Sequence, residues 1–201
     1  MSNTFNHSSA RAMIENKRKR RSRNKTILVI GIVIGLVVLV GGIVRLFELT
    51  QPGKVKAEFN SEDIVQDQPF LAVHEMVAFD PNSIPFLPED GPQPKIAFSE
   101  IDYDFGVIGL RDVVSKAFII ANTGDAPLTI SRAYTTCGCT TVEISSRVIP
   151  PGKAVTANLI FDAGYHETGG QTVRRGLILE TNDPKFPRSE IWTRATVRTT
   201  P

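Results

Sequence analysis

The chain is poor in the residues that most enzyme chemistry needs. Its 201 residues include two cysteines, three histidines, three methionines and one tryptophan. No Gly-x-Ser-x-Gly elbow, phosphate loop or His-Glu-x-x-His helix occurs, so nucleophile, phosphate cradle and zinc-hydrolase readings lack their starting motif. Acid pairs such as Asp102/Asp104 read as solvated strand or turn residues rather than as general acid and base, since nothing in the sequence places an apolar pocket around them. A surplus of either charge sign is missing from the C-terminal half, where residues 95–201 carry twelve Lys/Arg against eleven Asp/Glu. The basic surplus sits in residues 1–25, eight cations against one acid, while residues 45–94 carry three against nine. A nucleic-acid partner is therefore not expected, because no positive stripe falls on a folded domain.

One long uncharged run is present. Thr26 to Val44 is nineteen residues without a charge. As a helix rising ~1.5 Å per residue it spans about 28 Å, close to the ~30 Å hydrocarbon thickness of a bilayer. Seven cations crowd the preceding Lys17–Lys25, whereas the far flank offers only Arg45, Lys54 and Lys56. The bias of Lys/Arg to the cytoplasmic side predicts a cytoplasmic tail over 1–25, a single span over 26–44 in contact with lipid, and export of everything beyond. A cleaved signal peptide fits less well, since the apolar run exceeds the usual ~7–15 residues and no small-x-small site follows it.

Seven of the thirteen prolines lie between Pro52 and Pro94. With the nine acids this reads as an extended, acidic, proline-rich linker over 45–94. Phe70–Pro88 interrupts it with Phe70, Leu71, Val73, Met76, Val77 and Phe79, an apolar content that suits a short segment packed on its own domain.

From Lys95 onward the pattern is of short strands. Val155, Ala157, Leu159 and Phe161 alternate with Thr156, Asn158 and Ile160, the period-2 signature of a half-buried strand. Six further segments, at 95–101, 113–121, 127–134, 140–146, 173–180 and 189–197, read the same way. Turn chemistry separates them, including Pro151-Gly152, which suits the two central positions of a type II turn. About seven strands without a long helix predict an all-β, immunoglobulin-like two-sheet sandwich over 95–201. The inter-sheet disulfide of antibody domains is excluded, because both cysteines sit in one segment.

Several motifs in this region are specific: Asp104-Phe105-Gly106, Asn122-Thr123-Gly124-Asp125 with Pro127-Leu128, Cys137-Gly138-Cys139-Thr140, Pro151-Gly152 and Asn182-Asp183-Pro184. From about Pro94 to Val197 the chain resembles the bacterial immunoglobulin-like family of unknown function numbered 1573, related to the ASH/Hydin and major sperm protein-like modules. The resemblance implies an exported or envelope β-sandwich. It brings no established reaction and no catalytic residue.

The Cys-Gly-Cys unit leaves three readings open. In an extended strand the two cysteines share a face about 6.6 Å apart, so a disulfide requires a bend, which Gly138 permits through positive φ. Such a bond between Cys137 and Cys139 would form in an oxidising compartment and serve thiol-disulfide exchange. Alternatively the two sulfurs bind a soft ion such as Cu(I), with His166, His74 or Met76 as further ligands. The third reading is a pair of small apolar residues packed at a strand end.

The sequence therefore points to a single-pass cell-membrane protein of the cell envelope. Its N-terminus is cytoplasmic and its immunoglobulin-like domain extracytoplasmic. It is expected to act without turnover or cofactor as a binding or scaffold module for a protein partner, with copper binding or thiol exchange as the alternatives.

Overall fold

The computed structural model describes residues 52–54 and 59–199, together with Gly35, Leu36 and Leu39, which are helical. Contacts divide the chain into two units, Met1–Gln51 and Pro52–Pro201. The basic tail 1–25, and the expected span 26–44 apart from those three helical positions, lie outside the described residues. No helix among the described residues is long and apolar enough to cross a membrane.

The second unit is all-β. Its strands are β1 (Gly53–Lys54), β2 (Phe70–Ala72), β3 (Ile96–Phe98), β4 (Asp102–Ile108), β5 (Val113–Asn122) and β6 (Leu128–Thr135). There follow β7 (Thr140–Ile144), β8 (Val148–Ile149), β9 (Ala154–Asp162), β10 (Thr172–Thr181) and β11 (Arg188–Val197). One sheet runs β1-β3-β5-β9-β7-β2 and the other β4-β11-β10-β6-β8. Two short 3-10 turns, Ser61–Asp63 and Pro81–Ser83, are the only helical elements described in this unit.

Alternation sets the core. Val155, Ala157, Leu159 and Phe161 on β9 are at most 1% exposed. Phe98 and Phe118 from the same sheet, and Leu128, Ile130, Leu177, Leu179 and Ile191 from the other, complete the cluster. Each of the valine, leucine, isoleucine and phenylalanine side chains contributes ~1.5–3 kcal/mol on burial. The Pro151-Gly152 turn forms as its residues dictate, with Gly152 at φ 72° and Lys153 N–H donating to Pro150 O at 3.1 Å.

The motif residues are clamps. Asn122 is 1% exposed and donates through Nδ2 to Ala126 O and Ile149 O at 2.7 and 2.8 Å. Its Oδ1 accepts from Lys95 N–H at 3.2 Å and Gly124 N–H at 3.0 Å, so one amide ties three segments together. Asn182 and Asp183 do the same elsewhere: Asn182 Oδ1 accepts from Thr129 N–H at 2.7 Å, and Asp183 Oδ2 from Ile96 N–H at 2.8 Å. Buried polar groups this well satisfied hold the loops in one geometry.

Two elements differ from the sequence expectation. The segment 95–101 is a strand only over β3, after which the chain crosses to the other sheet and runs as β4, parallel to β11. This strand was masked by Asp102, Asp104 and Gly106. Asp104 Oδ1 accepts from Gly106 N–H at 2.8 Å, Gly106 takes φ 72°, and the register with β11 shifts between Arg194 and Thr196.

The other difference lies in the stretch expected to be linker. Its residues 59–94 are laid on the sandwich at several points. Phe70–Ala72 extends the first sheet by pairing antiparallel with β7, and Ala72 is fully buried. Thr135 N–H then donates to Val73 O at 3.0 Å, so the strap passes from one sheet to the other. Arg132 donates to Val77 O and Ala78 O at 3.2 and 3.3 Å while pairing with the buried Glu180 at 2.6 Å. An edge strand such as β7 has unpaired backbone groups, and an apolar segment tethered to the same chain satisfies them.

Candidate functional site

The Cys-Gly-Cys turn is one of the connections that cross between the sheets. β6 ends at Thr135 in one sheet and β7 begins at Thr140 in the other. Thr140 N–H donates to Cys137 O at 3.1 Å, closing a four-residue turn. Thr135 Oγ1 lies 3.0 Å from Cys137 O and 2.9 Å from Thr140 O, which holds the turn against the end of β6. The loop from β9 to β10, which carries His166, also crosses between sheets, and Asp162 N–H at its start donates to Cys139 O at 3.0 Å. Two sheet-crossing connections thus meet at one end of the sandwich.

Cys137 and Cys139 are joined by a disulfide, with their Cα atoms 5.2 Å apart. The bend at Gly138 does not use positive φ, contrary to the conformational reason expected from the sequence. What a larger residue would meet there is the Tyr165 side chain, which would have to give way by a few tenths of an ångström. A Cβ on Gly138 would stand 3.2 Å from Tyr165 Oη, and the ring lies across the turn. Tyr165 packs edge-on against His166, ring centroids 4.8 Å apart.

The two sulfurs are not equivalent. Cys139 is 4% exposed, whereas Cys137 is half-buried. Arg175 Nε donates to Cys139 Sγ at 2.9 Å, and its guanidinium lies 5.6 Å from the Phe161 ring centroid. Burial pushes Arg175 down from its ordinary value, and a guanidinium stays cationic at neutral pH. Cys137 Sγ accepts from Cys139 N–H at 3.2 Å. Each sulfur therefore has a donor in place for negative charge.

Of the candidate ligands, Cys137, Cys139 and His166 come together, with their ligating atoms all within 4.8 Å of one another. His74 is not in that group. Its Nδ1 donates to Thr135 O at 2.9 Å, which fixes the strap rather than the turn. Met76 stands 90% exposed.

Arg175 is the residue of the site to which no sequence motif points. The signal was its phase: Val173 and Leu177, two residues either side on β10, are buried, so the intervening side chain faces inward. Arg174 faces outward, over the Trp192 ring at 4.4 Å and 3.7 Å from Asp102.

No curated protein matches the chain. Among solved structures, it is similar to a protein of unknown function from Porphyromonas gingivalis W83, at 20% identity and a TM-score of 0.46, covering 52% of this chain and 46% of that one. The VesB protease of Vibrio cholerae is matched at 14% identity and a TM-score of 0.38, over 53% of this chain and 32% of the protease. The YadV chaperone is matched at 15% identity and a TM-score of 0.38, over 51% of each chain. The chain thus spans less than half the length of the first two. Residues 96–186, which include the Cys-Gly-Cys turn and the Asn122, Asn182 and Asp183 clamps, match the family described as protein of unknown function (DUF1573), and this stretch of the chain is a domain of that family.

Proposed function

We propose that the chain is a single-pass membrane protein presenting an immunoglobulin-like sandwich on the extracytoplasmic side, and that the sandwich exchanges the Cys137–Cys139 disulfide with a protein dithiol of the envelope. The uncharged nineteen-residue run and its seven flanking cations support the topology. Among the readings open from the sequence, exchange is the one the geometry favours over a passive scaffold or a structural clasp. The observation that carries it is the asymmetry of the two cysteines, Cys137 half-buried and Cys139 buried with its sulfur hydrogen-bonded to Arg175.

A clasp role has little to recommend it energetically. A disulfide that closes a loop of three residues restricts the unfolded chain by only about 1.6 kcal/mol, against about 4.7 kcal/mol for a hundred-residue loop. The turn is already closed by the Thr140 and Thr135 hydrogen bonds.

The exchange follows from the arrangement. A partner thiolate attacks Cys137 Sγ, the sulfur of the less buried cysteine, along the line of the S–S bond. That bond breaks as the partner–Cys137 bond forms, and its electron pair leaves on Cys139 Sγ, where the Arg175 N–H already points. The partner's second thiolate then attacks its own sulfur in the mixed disulfide and expels Cys137 as thiolate beside the Cys139 N–H. Two electrons pass from partner to chain, the partner becomes a disulfide, and its two protons are free to settle on the chain's sulfurs. Leaving-group stabilisation speeds such exchange, and the first step receives it from a fixed cation.

Trapping tests this directly. A Cys139→Ser variant retains Cys137 and lacks the resolving thiol, so the Cys137 thiolate should attack the oxidised, disulfide form of the envelope partner, release the partner's other sulfur as thiolate and accumulate as a mixed disulfide at Cys137. Reduction of the wild-type chain by a dithiol no faster than that of a free peptide disulfide, with no adduct on the variant, would remove the proposal.

A further inference from the structure

The disulfide, Arg175 and the turn take part in exchange, but His166 has no place in that chemistry. It nevertheless brings a ring nitrogen to within 4.8 Å of both sulfurs. We propose that the reduced form of the turn is a Cu(I) site, in which the thiolates of Cys137 and Cys139 and the imidazole of His166 hold one ion and Arg175 balances its charge. The inference rests on the exchange reading only in requiring that the disulfide be reducible.

Distance favours a shared ion. Three donors ~2.0–2.3 Å from a central ion stand roughly 3.5–4 Å from one another. The two cysteines reach such a separation by side-chain rotation once the S–S bond is open, since their Cα atoms are 5.2 Å apart. His166 is held over the turn by the Tyr165 ring, which packs against it on one side and covers Gly138 on the other. Its loop is anchored at its start by the Asp162 N–H bond to Cys139 O at 3.0 Å.

Ligand type and number select the ion. Thiolates are soft donors, and Cu(I) accepts few of them, whereas structural zinc takes four ligands. Among the described residues, no further His, Cys, Asp or Glu joins the group. Charge points the same way. Two thiolates and one Cu(I) sum to −1, and the Arg175 guanidinium, already 2.9 Å from Cys139 Sγ, brings the site to neutrality. With a divalent ion the thiolates are spent on the metal and the half-buried guanidinium is left uncompensated, which is costly beside a sulfur only 4% exposed. In the disulfide form neither sulfur carries charge, so the same turn has no affinity for the ion.

The test uses the full chain in detergent, reduced with a phosphine and titrated anaerobically with Cu(I) against a chromophoric Cu(I) chelator. One equivalent should bind to the reduced chain and none to the disulfide form. X-ray absorption of the copper-loaded chain should show two sulfur neighbours at about 2.3 Å and one nitrogen at about 2.0 Å. His166 is exposed, so a His166→Ala variant keeps its core and should lose the nitrogen neighbour and roughly ten-fold or more in affinity. An Arg175→Gln variant should lose affinity for Cu(I), and Arg175→Lys should recover part of it. Equal copper uptake by reduced and disulfide forms, absence of the nitrogen in the wild type, or Zn(II) displacing Cu(I) at equal concentration would each overturn the proposal. Because the phosphine supplies the thiols, a negative copper result leaves the exchange reading intact, and failure with partner dithiols leaves the copper result standing.

Discussion

Replacing Arg175 with glutamine tests the asymmetry of the sulfurs most sharply. The Nε–H donates to Cys139 Sγ at 2.9 Å, from a side chain that is only half exposed. A hydrogen bond to a charged group is worth about 1.5–3 kcal/mol, and that stabilisation exists only once Cys139 becomes a thiolate. Applied to the leaving group, it corresponds to a rate of reduction lowered about ten- to hundred-fold. Applied to the equilibrium between disulfide and dithiol, it moves the midpoint about 30–60 mV more negative. The assay is stopped-flow reduction by a dithiol in excess, with the released thiols quantified, alongside redox titration and a thermal melt to show that the sandwich is intact. Arg175→Lys should retain part of the effect. Wild-type rates and midpoint in the glutamine variant would refute the assignment of Arg175 to the departing sulfur.

Other expectations concern the scaffold around the turn. Asn122→Ala leaves two buried carbonyls and two N–H groups without their partner and should cost roughly 2–4 kcal/mol, read as a lower denaturation midpoint at unchanged m-value. Gly138→Ala forces the Tyr165 ring away from the turn; a penalty of about 1 kcal/mol should shrink in a Tyr165→Ala background, and additive penalties would show that the ring is not the obstacle. The Asp104 carboxyl is held below its ordinary value, first by the Gly106 N–H and then by Arg194. Its contribution is present above the unfolded carboxylate value of about 3.9 and is lost as pH falls through the lower folded value. The stability gap between wild type and Asp104→Asn should therefore be constant near neutrality and close in acid, as followed by denaturation at stepped pH.

Much of the sandwich was legible because its strands carry their burial in alternation. β9 reads inward at Val155, Ala157, Leu159 and Phe161 without further information. β4 was not legible, since an edge strand with Asp102, Asp104 and a left-handed Gly106 resembles a turn until its parallel partner β11 is known. The strap at Phe70–Ala72 was legible as an apolar interruption but not as a strand, because three residues form a strand only when β7 offers an edge. At the site, the two cysteines and His166 stood out by chemistry. Their convergence depends on two loops crossing between sheets at the same end, a long-range fact that no local pattern encodes. His74 stood out equally and belongs to the strap.

The central claim is that Cys137–Cys139 is an exchangeable disulfide, and its reduction midpoint decides the matter. Equilibration of the full chain in glutathione or dithiothreitol buffers, quenched by alkylation and read by mass, should place the midpoint above about −240 mV, among the disulfides that exchange. A midpoint below about −300 mV, where structural disulfides resist the thiol pool, would contradict the account.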